Sequence, residues 1–212
     1  MADASPVRGL YVITDTTRHR GDALTRACAQ ALAGGARVLQ YRDKSSDDDR
    51  RRAEAQELLA LCREYRALFV VNDDVALAAA VGAPAVHLGR DDAALATARE
   101  RLGPGVLIGG SCYGSLERGD RLAAAGADYL AFGSVFPSPT KPEAATVTLG
   151  TLSAAVARYR QPVVAIGGIT PDNAAAVLDT GVAAVAVISG VFAAPDPEAA
   201  AARVAGLFGG AA

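Results

Sequence analysis

Short apolar runs alternate with Ala-rich segments along the whole chain. The runs are rich in Val, Ile and Leu and have the length of buried strands; they span 10–14, 38–41, 69–71, 86–88, 106–108, 129–132, 163–166 and 185–188. The segments between them, such as 48–65 and 116–125, carry Arg, Glu and Leu at helical spacing. Continuous apolar strands separated by helices indicate a parallel sheet covered on both faces. Eight such strands in 212 residues favour a closed (β/α)8 TIM barrel over an open sheet.

Glycines mark the boundaries between the predicted helices and strands. They stand just before a strand at Gly34, Gly82, Gly126 and Gly181, where a left-handed residue can close a helix. The run 45–49 (SSDDD) predicts a helix start, with hydroxyl caps and acids in the first turn, rather than a metal site. No low-complexity linker interrupts the pattern, so we expect one domain over 1–212 with a short N-terminal tail at 1–8.

Composition and charge narrow the functional class. A net charge of −2 argues against nucleic acid as the main partner, because proteins that bind phosphate backbones need a basic face. Three cysteines without paired spacing indicate free thiols in a reducing cytosol, so we expect a cytoplasmic protein. The first residues lack the pattern of a signal peptide, and the apolar run 182–194 is too short to span a bilayer. The sequence leaves a homo-oligomer possible.

Polar and glycine residues follow nearly every predicted strand. They occur at 40–44, 72–74, 87–92, 109–111, 133–141, 167–170 and 189–190, whereas the opposite turns hold mostly Gly, Ala and Pro. In a barrel of this type the chemistry takes place at the carboxyl ends of the strands. One face of the barrel is therefore expected to be chemical and the other structural.

Two kinds of anion site can be predicted at the rim formed by the carboxyl ends of the strands. Gly167 and Gly168 after strand 7, with 189–190 after strand 8, match the usual phosphate site of such barrels, and plain turn glycines are the alternative. Cations from separate strands could converge on a second anion, with hydroxyl donors beside them; these residues are Arg42, Lys44, Lys141, Ser111, Ser138 and Thr140. Such a set suits a pyrophosphate better than a single carboxylate, and solvated surface cations are the alternative.

Two aspartates at neighbouring strand ends suggest a metal. Asp73 and Asp92 would supply hard oxygen ligands beside a polyphosphate, as Mg²⁺ prefers, although either alone would read as a helix cap. Asp74 and Asp91 each begin a helix and are expected to cap it. His87 is expected to fill a structural position. Elsewhere, Cys112 is expected to act as a small apolar residue, and a substrate contact by His19 is a minor alternative.

Six motifs in order resemble the thiamine-phosphate synthase family. They are 40–44 (QYRDK), 71–74 (VNDD), 86–92 (VHLGRDD), 108–111 (IGGS), 136–141 (FPSPTK) and 165–169 (AIGGI). The resemblance implies small-molecule substrates, 4-amino-2-methyl-5-(diphosphooxymethyl)pyrimidine and 4-methyl-5-(2-phosphooxyethyl)thiazole. It implies thiamine phosphate and pyrophosphate as products and Mg²⁺ as cofactor.

The resemblance also implies roles for individual residues. Pyrimidine diphosphate contacts fall on Gln40, Arg42, Lys44, Asn72, Ser111 and Lys141, of which Arg42, Lys44, Ser111 and Lys141 would be catalytic. The Mg²⁺ ligands fall on Asp73 and Asp92, and the thiazole phosphate contacts on Ser138, Thr140, Gly168, Ile188 and Ser189. The residues themselves leave open whether Ser138 and Thr140 serve the diphosphate or the thiazole phosphate. The chain departs from the family at Arg90, Ser138 and the pair Cys112–Tyr113.

Three alternatives compete with the synthase. A thiazole tautomerase-like or regulatory paralogue would keep the phosphate site but often lose the cations and acids that this chain retains. A non-catalytic phosphate-binding barrel is a second alternative. A phosphosugar lyase or epimerase is a third, although an epimerase would need an acid–base pair that the sequence does not offer.

Overall fold

A computed structural model describes residues 5–89, 93–137 and 146–209. Eight parallel strands close into a barrel in chain order, and the last pairs with the first. The strands are β1 Gly9–Ile13, β2 Val38–Tyr41, β3 Leu68–Asn72, β4 Ala85–Leu88, β5 Leu107–Tyr113, β6 Tyr129–Gly133, β7 Val163–Ile166 and β8 Ala184–Val187. This confirms the predicted (β/α)8 barrel.

Helices surround the barrel. They are α1 Asp22–Ala33, α2 Asp48–Glu64, α3 Val75–Val81, α4 Ala93–Leu102, α5 Leu116–Ala124, α6 Leu149–Arg158, α7 Ala174–Leu178, α8 Ser189–Phe192 and α9 Pro197–Gly206, with a 3₁₀ turn at Leu207–Gly209. The prediction of left-handed glycine helix ends is confirmed at Gly82, Gly126 and Gly181, which have positive φ angles, whereas after α1 the left-handed residue is Gly35 and not Gly34, whose φ is −71°. The run 45–49 does start a helix, but the carboxylate of Asp47 caps it, accepting from the Arg50 N–H, instead of a hydroxyl.

Strand alternation divides the apolar side chains into two cores. The outer one, between strands and helices, contains residues such as Leu39, Phe69 and Phe132. The inner one fills the barrel and includes Tyr11 and Tyr129. Since successive side chains of a strand point to opposite faces, the inward positions lead in steps of two to the rim formed by the carboxyl ends of the strands.

Strand β5 is longer than the sequence predicted. The expectation that it ends before Gly109 is wrong, because the strand continues to Tyr113 with a shift of register between Ser111 and Tyr113. Gly109 is an interior position, where an added Cβ would collide with the ring of Tyr129. The glycine that looked like rim punctuation therefore makes room for an aromatic ring in the barrel.

The amino-terminal end of the barrel is held by packing and one ion pair. Val7, from the expected tail, is buried in the inner core. Arg99 pairs with Asp128 at 2.6 Å, and Asp128 also accepts from the Ile108 N–H at 2.7 Å. Among the residues described, no helix is long and apolar enough to cross a membrane. All three cysteines are buried, as expected for Cys112.

Candidate active site

The end of β2 presents two cations and one buried amide. Arg42 and Lys44 are exposed, and the described residues provide neither with an ion-pair partner. Gln40 lies inside the barrel mouth at 1% exposure, and its Nε2 has no hydrogen-bond partner among the described residues. An unpaired buried donor is costly, so an acceptor supplied by a ligand would relieve the cost. Lys44 is one of only two lysines in the chain, the other being Lys141.

The backbone of Arg42 is fixed by strand β1. The Arg42 N–H donates to the Thr14 hydroxyl at 2.8 Å, and Thr14 Oγ1 donates to the Arg42 carbonyl at 3.3 Å. Thr14 is buried. These contacts hold the start of the cationic loop against the neighbouring strand, and the sequence motifs gave no indication of them.

Asp43 lies between the two cations in sequence, but its side chain is buried and held by hydrogen bonds. Its carboxylate accepts from Arg50 at 2.9 Å and from the Ser45 N–H at 2.6 Å, and its side chain is only 3% exposed. Burial acts to raise the pKa of Asp43, but the bonds from Ser45 and Arg50 outweigh it and lower the pKa below its ordinary value. Asp43 is thus anchored to α2, while Arg42 and Lys44 on either side of it stay exposed.

Glu54, one turn after Arg50 on α2, adds the loop after β1 to this group of contacts. Its buried carboxylate accepts from the Tyr41 hydroxyl at 2.7 Å, from the Gly21 N–H at 2.8 Å, and from Arg50 at 3.2 Å. Gly21 ends the loop after β1, whereas Tyr41 belongs to β2. A single buried carboxylate on α2 therefore joins the loop after β1 to the end of β2.

Asp73 has the geometry of an oriented, uncommitted carboxylate. Its backbone is left-handed, with φ 58°, and its N–H donates to the His87 carbonyl at 2.8 Å. One carboxylate oxygen accepts from the Gly89 N–H at 2.9 Å and the other from Asn72 Nδ2 at 2.8 Å. Strained backbone of this kind concentrates at functional sites. Each oxygen keeps a free lone pair, which fits a hard cation such as Mg²⁺.

Asp74, the next residue, behaves differently. It caps α3 by accepting from the Leu77 N–H at 2.8 Å, as the sequence predicted, and it pairs with Arg51. Burial raises the pKa of Asp74, but these contacts outweigh burial and the net pKa is lowered. The described residues contain no group of three or more His, Cys, Asp or Glu arranged to hold a metal. Asp92 and Asp91 lie outside those residues.

Ser111 is held from below by His87. The Ser111 Oγ lies 2.9 Å from His87 Nε2, and His87 Nδ1 lies 3.1 Å from the Tyr129 hydroxyl. Tyr129 in turn lies 3.1 Å from the Tyr11 hydroxyl. Burial lowers the pKa of His87 to about 4, although the Asp73 carboxylate opposes it, and burial raises the pKa of Tyr11 and of Tyr129.

Arg118 ties the ends of β4 and β5 together. This nearly buried guanidinium donates to the Ser111 carbonyl at 2.6 Å and to the Gly89 carbonyl at 2.9 Å. Gly89 also holds Asp73, so the carboxylate and the Ser111 backbone share one support. Arg118 lies on a helix whose sequence gives no functional signal, and sequence reasoning missed it.

The loops after β6, β7 and β8 meet at close range. Gly168 has φ 62°, and an added Cβ there would lie 2.7 Å from the carbonyls of Phe136 and Pro137. A Cβ at Gly190 would lie 2.9 Å from the Ile169 carbonyl. Ser189 starts α8 directly after Ile188. The first N–H groups of a helix have no partner within the helix, so this corner offers backbone donors at the rim.

The proline-rich loop is anchored at both ends. The Val135 and Phe136 N–H groups donate at 3.0 Å to the carbonyls of Ile166 and Gly167, and the Val147 N–H donates to Ser134 at 2.7 Å. Ser138, Thr140 and Lys141 lie between these anchors, outside the described residues.

Most of the residues expected at the site stand at one end of the barrel. Those that the structure places there are Gln40, Arg42, Lys44, Asn72, Asp73, Ser111, Gly168, Ile188 and Ser189. His19 instead contacts the Phe192 carbonyl, with its Nε2 at 3.0 Å. Sequence reasoning missed Tyr11 and Tyr129. The signal that could have indicated them is a tyrosine at a strand position that points into the barrel.

Known proteins are similar to this chain in sequence. Residues 10–191 match the family model for thiamine monophosphate synthase. The chain is 54% identical to the thiamine-phosphate synthase of Halorhodospira halophila, covering 93% of this chain and 92% of that protein. It is 52% identical to that of Bordetella pertussis, covering 94% of each.

A solved structure agrees with the sequence relatives. The thiamine phosphate pyrophosphorylase from Pyrococcus furiosus superposes with a TM-score of 0.86 at 41% identity, covering 94% of both chains. A second structure, titled native KDPGal, has a TM-score of 0.72 at 18% identity and supports the fold alone. The family model matches most of this chain, and the solved relative has the same fold, so this chain belongs to the thiamine monophosphate synthase family.

Proposed function

We propose that this chain is a thiamine-phosphate synthase. It transfers the (4-amino-2-methylpyrimidin-5-yl)methyl group from its diphosphate to the ring nitrogen of 4-methyl-5-(2-phosphooxyethyl)thiazole, giving thiamine phosphate and pyrophosphate. The observation that carries the proposal is the pair of exposed cations Arg42 and Lys44, which have no ion-pair partner in the described part of the chain, beside the buried Gln40 Nε2, which has no hydrogen-bond partner there. A tautomerase-like or regulatory paralogue would have no diphosphate for these groups to bind.

The reaction needs charge stabilisation and no proton transfer. The amino group of the pyrimidine pushes electron density towards its methylene as the carbon–oxygen bond breaks, and the bonding pair leaves with pyrophosphate. The thiazole nitrogen then attacks with its own lone pair, so no general base is required. The Ser111 hydroxyl and the His87 imidazole lie 2.9 Å apart, as in a nucleophile–base pair, but this reaction needs neither group to attack or to remove a proton.

The cations and donors at the rim would serve the leaving group. Arg42, Lys44 and Lys141 would bind the pyrophosphate as its charge develops, with Gln40, Asn72 and Ser111 donating to its oxygens or the pyrimidine. The ion pair of Asp43 with Arg50 fixes the loop that carries two of these cations, so little reorganisation is needed when charge appears.

Asp73, with Asp92, would hold Mg²⁺. The Asp73 carboxylate is oriented by Gly89 and Asn72 and has no cationic partner among the residues described. When bound, the ion neutralises charge on the diphosphate oxygens and so improves the leaving group. The orientation of the carboxylate itself is supplied by this chain.

The second substrate would bind at the β7–β8 corner. Gly168, Ile188 and Ser189 would contact the thiazole phosphate through backbone N–H groups and the Ser189 hydroxyl. Ser138 and Thr140 would contribute from the loop anchored at Ser134 and Val147. With both phosphates bound at one barrel mouth, the two rings would meet between them, away from bulk water. We further propose one catalytic domain that works in the cytoplasm.

The direct test is product formation. The purified protein is incubated with both substrates and Mg²⁺, and thiamine phosphate is detected after oxidation to fluorescent thiochrome. We expect pyrophosphate release in a one-to-one ratio with the product, and none without the thiazole. Isomerisation of the thiazole without any thiochrome-forming product would instead favour the tautomerase.

Lys141→Ala serves as the matched variant. Because the lysine would interact more strongly with the departing pyrophosphate than with the bound substrate, we expect its removal to lower the single-turnover rate roughly a hundredfold or more. Binding of the diphosphate substrate should weaken less. Lys141→Arg should restore activity only in part, because a planar guanidinium replaces a point charge.

A further inference from the structure

A continuous series of hydrogen-bonding groups runs from the middle of the barrel to the rim. It consists of the Tyr11 hydroxyl, the Tyr129 hydroxyl, the His87 imidazole and the Ser111 hydroxyl, at successive separations of 3.1, 3.1 and 2.9 Å. Tyr11 and Tyr129 are buried, while Ser111 is only half-buried and reaches the rim. We call this series the core relay; residues far apart in sequence build it from β1, β6, β4 and β5.

The buried end determines the direction of every bond in the core relay. Among the described residues, the Tyr129 oxygen is the single partner of the Tyr11 hydroxyl. A phenol has one hydrogen, and a buried donor without an acceptor is more costly than an unused lone pair. Tyr11 therefore donates to Tyr129. Tyr129 must then donate its own hydrogen to His87 Nδ1, which accepts it.

The tautomer of His87 follows from that sequence of donors. With Nδ1 accepting, the imidazole hydrogen resides on Nε2 and is donated to the Ser111 Oγ. The reversed order would leave the Tyr11 hydrogen without an acceptor inside the barrel. A doubly protonated imidazole would do the same, because its Nδ1–H would force Tyr129 to donate to Tyr11.

We propose that Tyr11, Tyr129 and His87 are positioning residues that make the Ser111 hydroxyl a committed hydrogen-bond donor to a diphosphate oxygen. With its oxygen accepting from His87, the hydrogen of Ser111 is the one free donor at the outer end of the core relay. That polarity favours an oxyanion over a cation at this point of the rim. The identity of the anion rests on the proposed function, whereas the polarity of the core relay does not.

Gly109 supports this arrangement. An added Cβ at that position would occupy the place of the Tyr129 ring, so the glycine is what allows the ring to stand between Tyr11 and His87. Tyr129 and His87 are also stacked, with ring centroids 5.5 Å apart. None of the three positioning residues needs to touch substrate; each acts through the next.

The tautomer can be measured directly in the wild-type protein. Only two histidines, His19 and His87, occur in the chain, so long-range ¹⁵N–¹H correlation spectra of the labelled protein contain two imidazoles. A His19→Gln sample assigns them. We expect His87 as the neutral Nε2–H form at pH 7.5, with and without inorganic pyrophosphate and Mg²⁺. An Nδ1–H or doubly protonated His87 would overturn the proposal, whether or not the chain is a synthase.

A double-mutant cycle tests the action through Ser111. His87→Leu should lower the single-turnover rate roughly tenfold, and His87→Gln, which retains a donor near the Nε2 position, should recover part of it. In a Ser111→Ala background, His87→Leu should have little further effect, because the group it orients is gone. Thermal unfolding identifies variants that fail to fold. Additive losses would show that His87 does not act through Ser111, and a fully active His87→Leu would exclude positioning.

The two proposals fail in different ways. A wild-type protein that forms no thiamine phosphate but shows the Nε2–H tautomer would contradict the synthase and leave the polarity of the core relay intact. A working synthase with the other tautomer would contradict the core relay alone. Tyr129→Phe provides a second variant: we expect it to release His87 from the Nε2–H form, and an unchanged imidazole spectrum would count against the proposed sequence of donors.

Discussion

At the scale of single residues, neighbouring side chains of the same type carry different tasks. Asp73 and Asp74 are adjacent aspartates at the end of β3. Asp73 adopts a left-handed backbone and turns an uncommitted carboxylate towards Gly89, whereas Asp74 caps α3 and pairs with Arg51. Residue type and position along the strand do not separate the two; backbone conformation and partners do.

Asp73→Asn is expected to impair metal use without unfolding the protein. Asparagine tolerates the left-handed conformation but removes the charge. Turnover should fall at least about tenfold, and the Mg²⁺ concentration for half-maximal rate should rise. Magnesium titrations of the initial rate provide the measurement.

The neighbouring Asp74→Asn is its control. Asparagine caps helices about as well as aspartate, so the main loss is the ion pair with Arg51. We expect a small decrease in stability and an unchanged magnesium dependence. If both variants responded to Mg²⁺ like the wild type, Asp73 would not be a ligand.

Ser189→Asp is expected to separate the two substrate subsites. A carboxylate at the start of α8 would repel a phosphate bound at the β7–β8 corner, at a cost on the order of a few kcal/mol if the phosphate is poorly solvated. The apparent affinity for the thiazole phosphate should therefore fall far more than that for the pyrimidine diphosphate. Ser189→Asn, of equal size and no charge, should have a much smaller effect. Equal losses for both substrates would contradict the assignment of Ser189.

At the scale of elements, the loop after β2 is organised by the helix that follows it. Arg50, in the first turns of α2, reaches back to Asp43 and Ser45, while Glu54 one turn later binds Tyr41 and Gly21. The helix thus fixes its own approach loop. Two solvent-facing cations can be held in place because the acid between them is buried and paired.

Asp43→Asn should reduce stability in a pH-dependent way. The pKa of Asp43 is lower in the folded protein than in the unfolded chain, where it is about 3.9. Its ionised form therefore stabilises the fold above that value, and the contribution is lost as the pH falls through the folded pKa. Breaking this pair should cost about 2–4 kcal/mol at pH 7, and the difference from wild type should shrink below about pH 4.

Urea unfolding across this pH range measures the effect. Asp47→Asn is the matched control, because Asp47 also pairs with Arg50 but is 56% exposed, and such pairs contribute about 1 kcal/mol or less. Asparagine retains its helix-capping role. A loss for Asp43→Asn that stayed constant down to pH 3 would exclude the ion pair as its cause.

At the scale of the whole molecule, the barrel separates stability from chemistry. The amino-terminal end is closed by Val7 and by Arg99 with Asp128, and the carboxyl end carries the cations, the Asp73 carboxylate and the glycine corner. Changes at the two ends should therefore have different consequences.

Arg99→Gln tests that separation. Arg99 also donates to the Val106 carbonyl at 2.5 Å, so its removal takes away the cationic partner of Asp128 and a side-chain donor to that carbonyl. We expect a loss of about 1–3 kcal/mol in unfolding free energy and a turnover number of the folded enzyme within about twofold of wild type. Chemical denaturation and steady-state rates at low temperature are the two measurements. A large loss of turnover in fully folded Arg99→Gln would contradict the division.

The sequence predicts the barrel because its apolar runs are periodic and short. All eight strands occur where expected, and the one large error, at β5, arose because Gly109 and Gly110 read as a turn although they make room for packed side chains. Glycine inside a strand and glycine after it look alike in sequence. Only the position of the Tyr129 ring distinguishes them.

The sequence predicts those site residues that can be recognised from the end of a single strand. The sequence indicates Arg42 and Lys44, but not that Thr14 and Arg50 hold their loop. Nor does it reveal that Tyr11 and Tyr129, on strands far apart in the chain, meet beneath Ser111. Such contacts depend on the registers with which the barrel closes, which local patterns do not specify.

The scarcity of lysine has a practical consequence. Lys44 and Lys141 are the only two lysines, and both belong to the proposed pyrophosphate site, while every other basic side chain of the Lys/Arg class is an arginine. Reagents that react with primary amines will therefore modify the side chains of this protein only at the proposed pyrophosphate site, with the α-amino group as the one other target. Reductive methylation with ¹³C-formaldehyde places an isotopic reporter on the ammonium groups of both lysines while keeping their charge. Acylation removes that charge, so we expect it to inactivate the enzyme. Bound pyrophosphate with Mg²⁺ should slow the acylation.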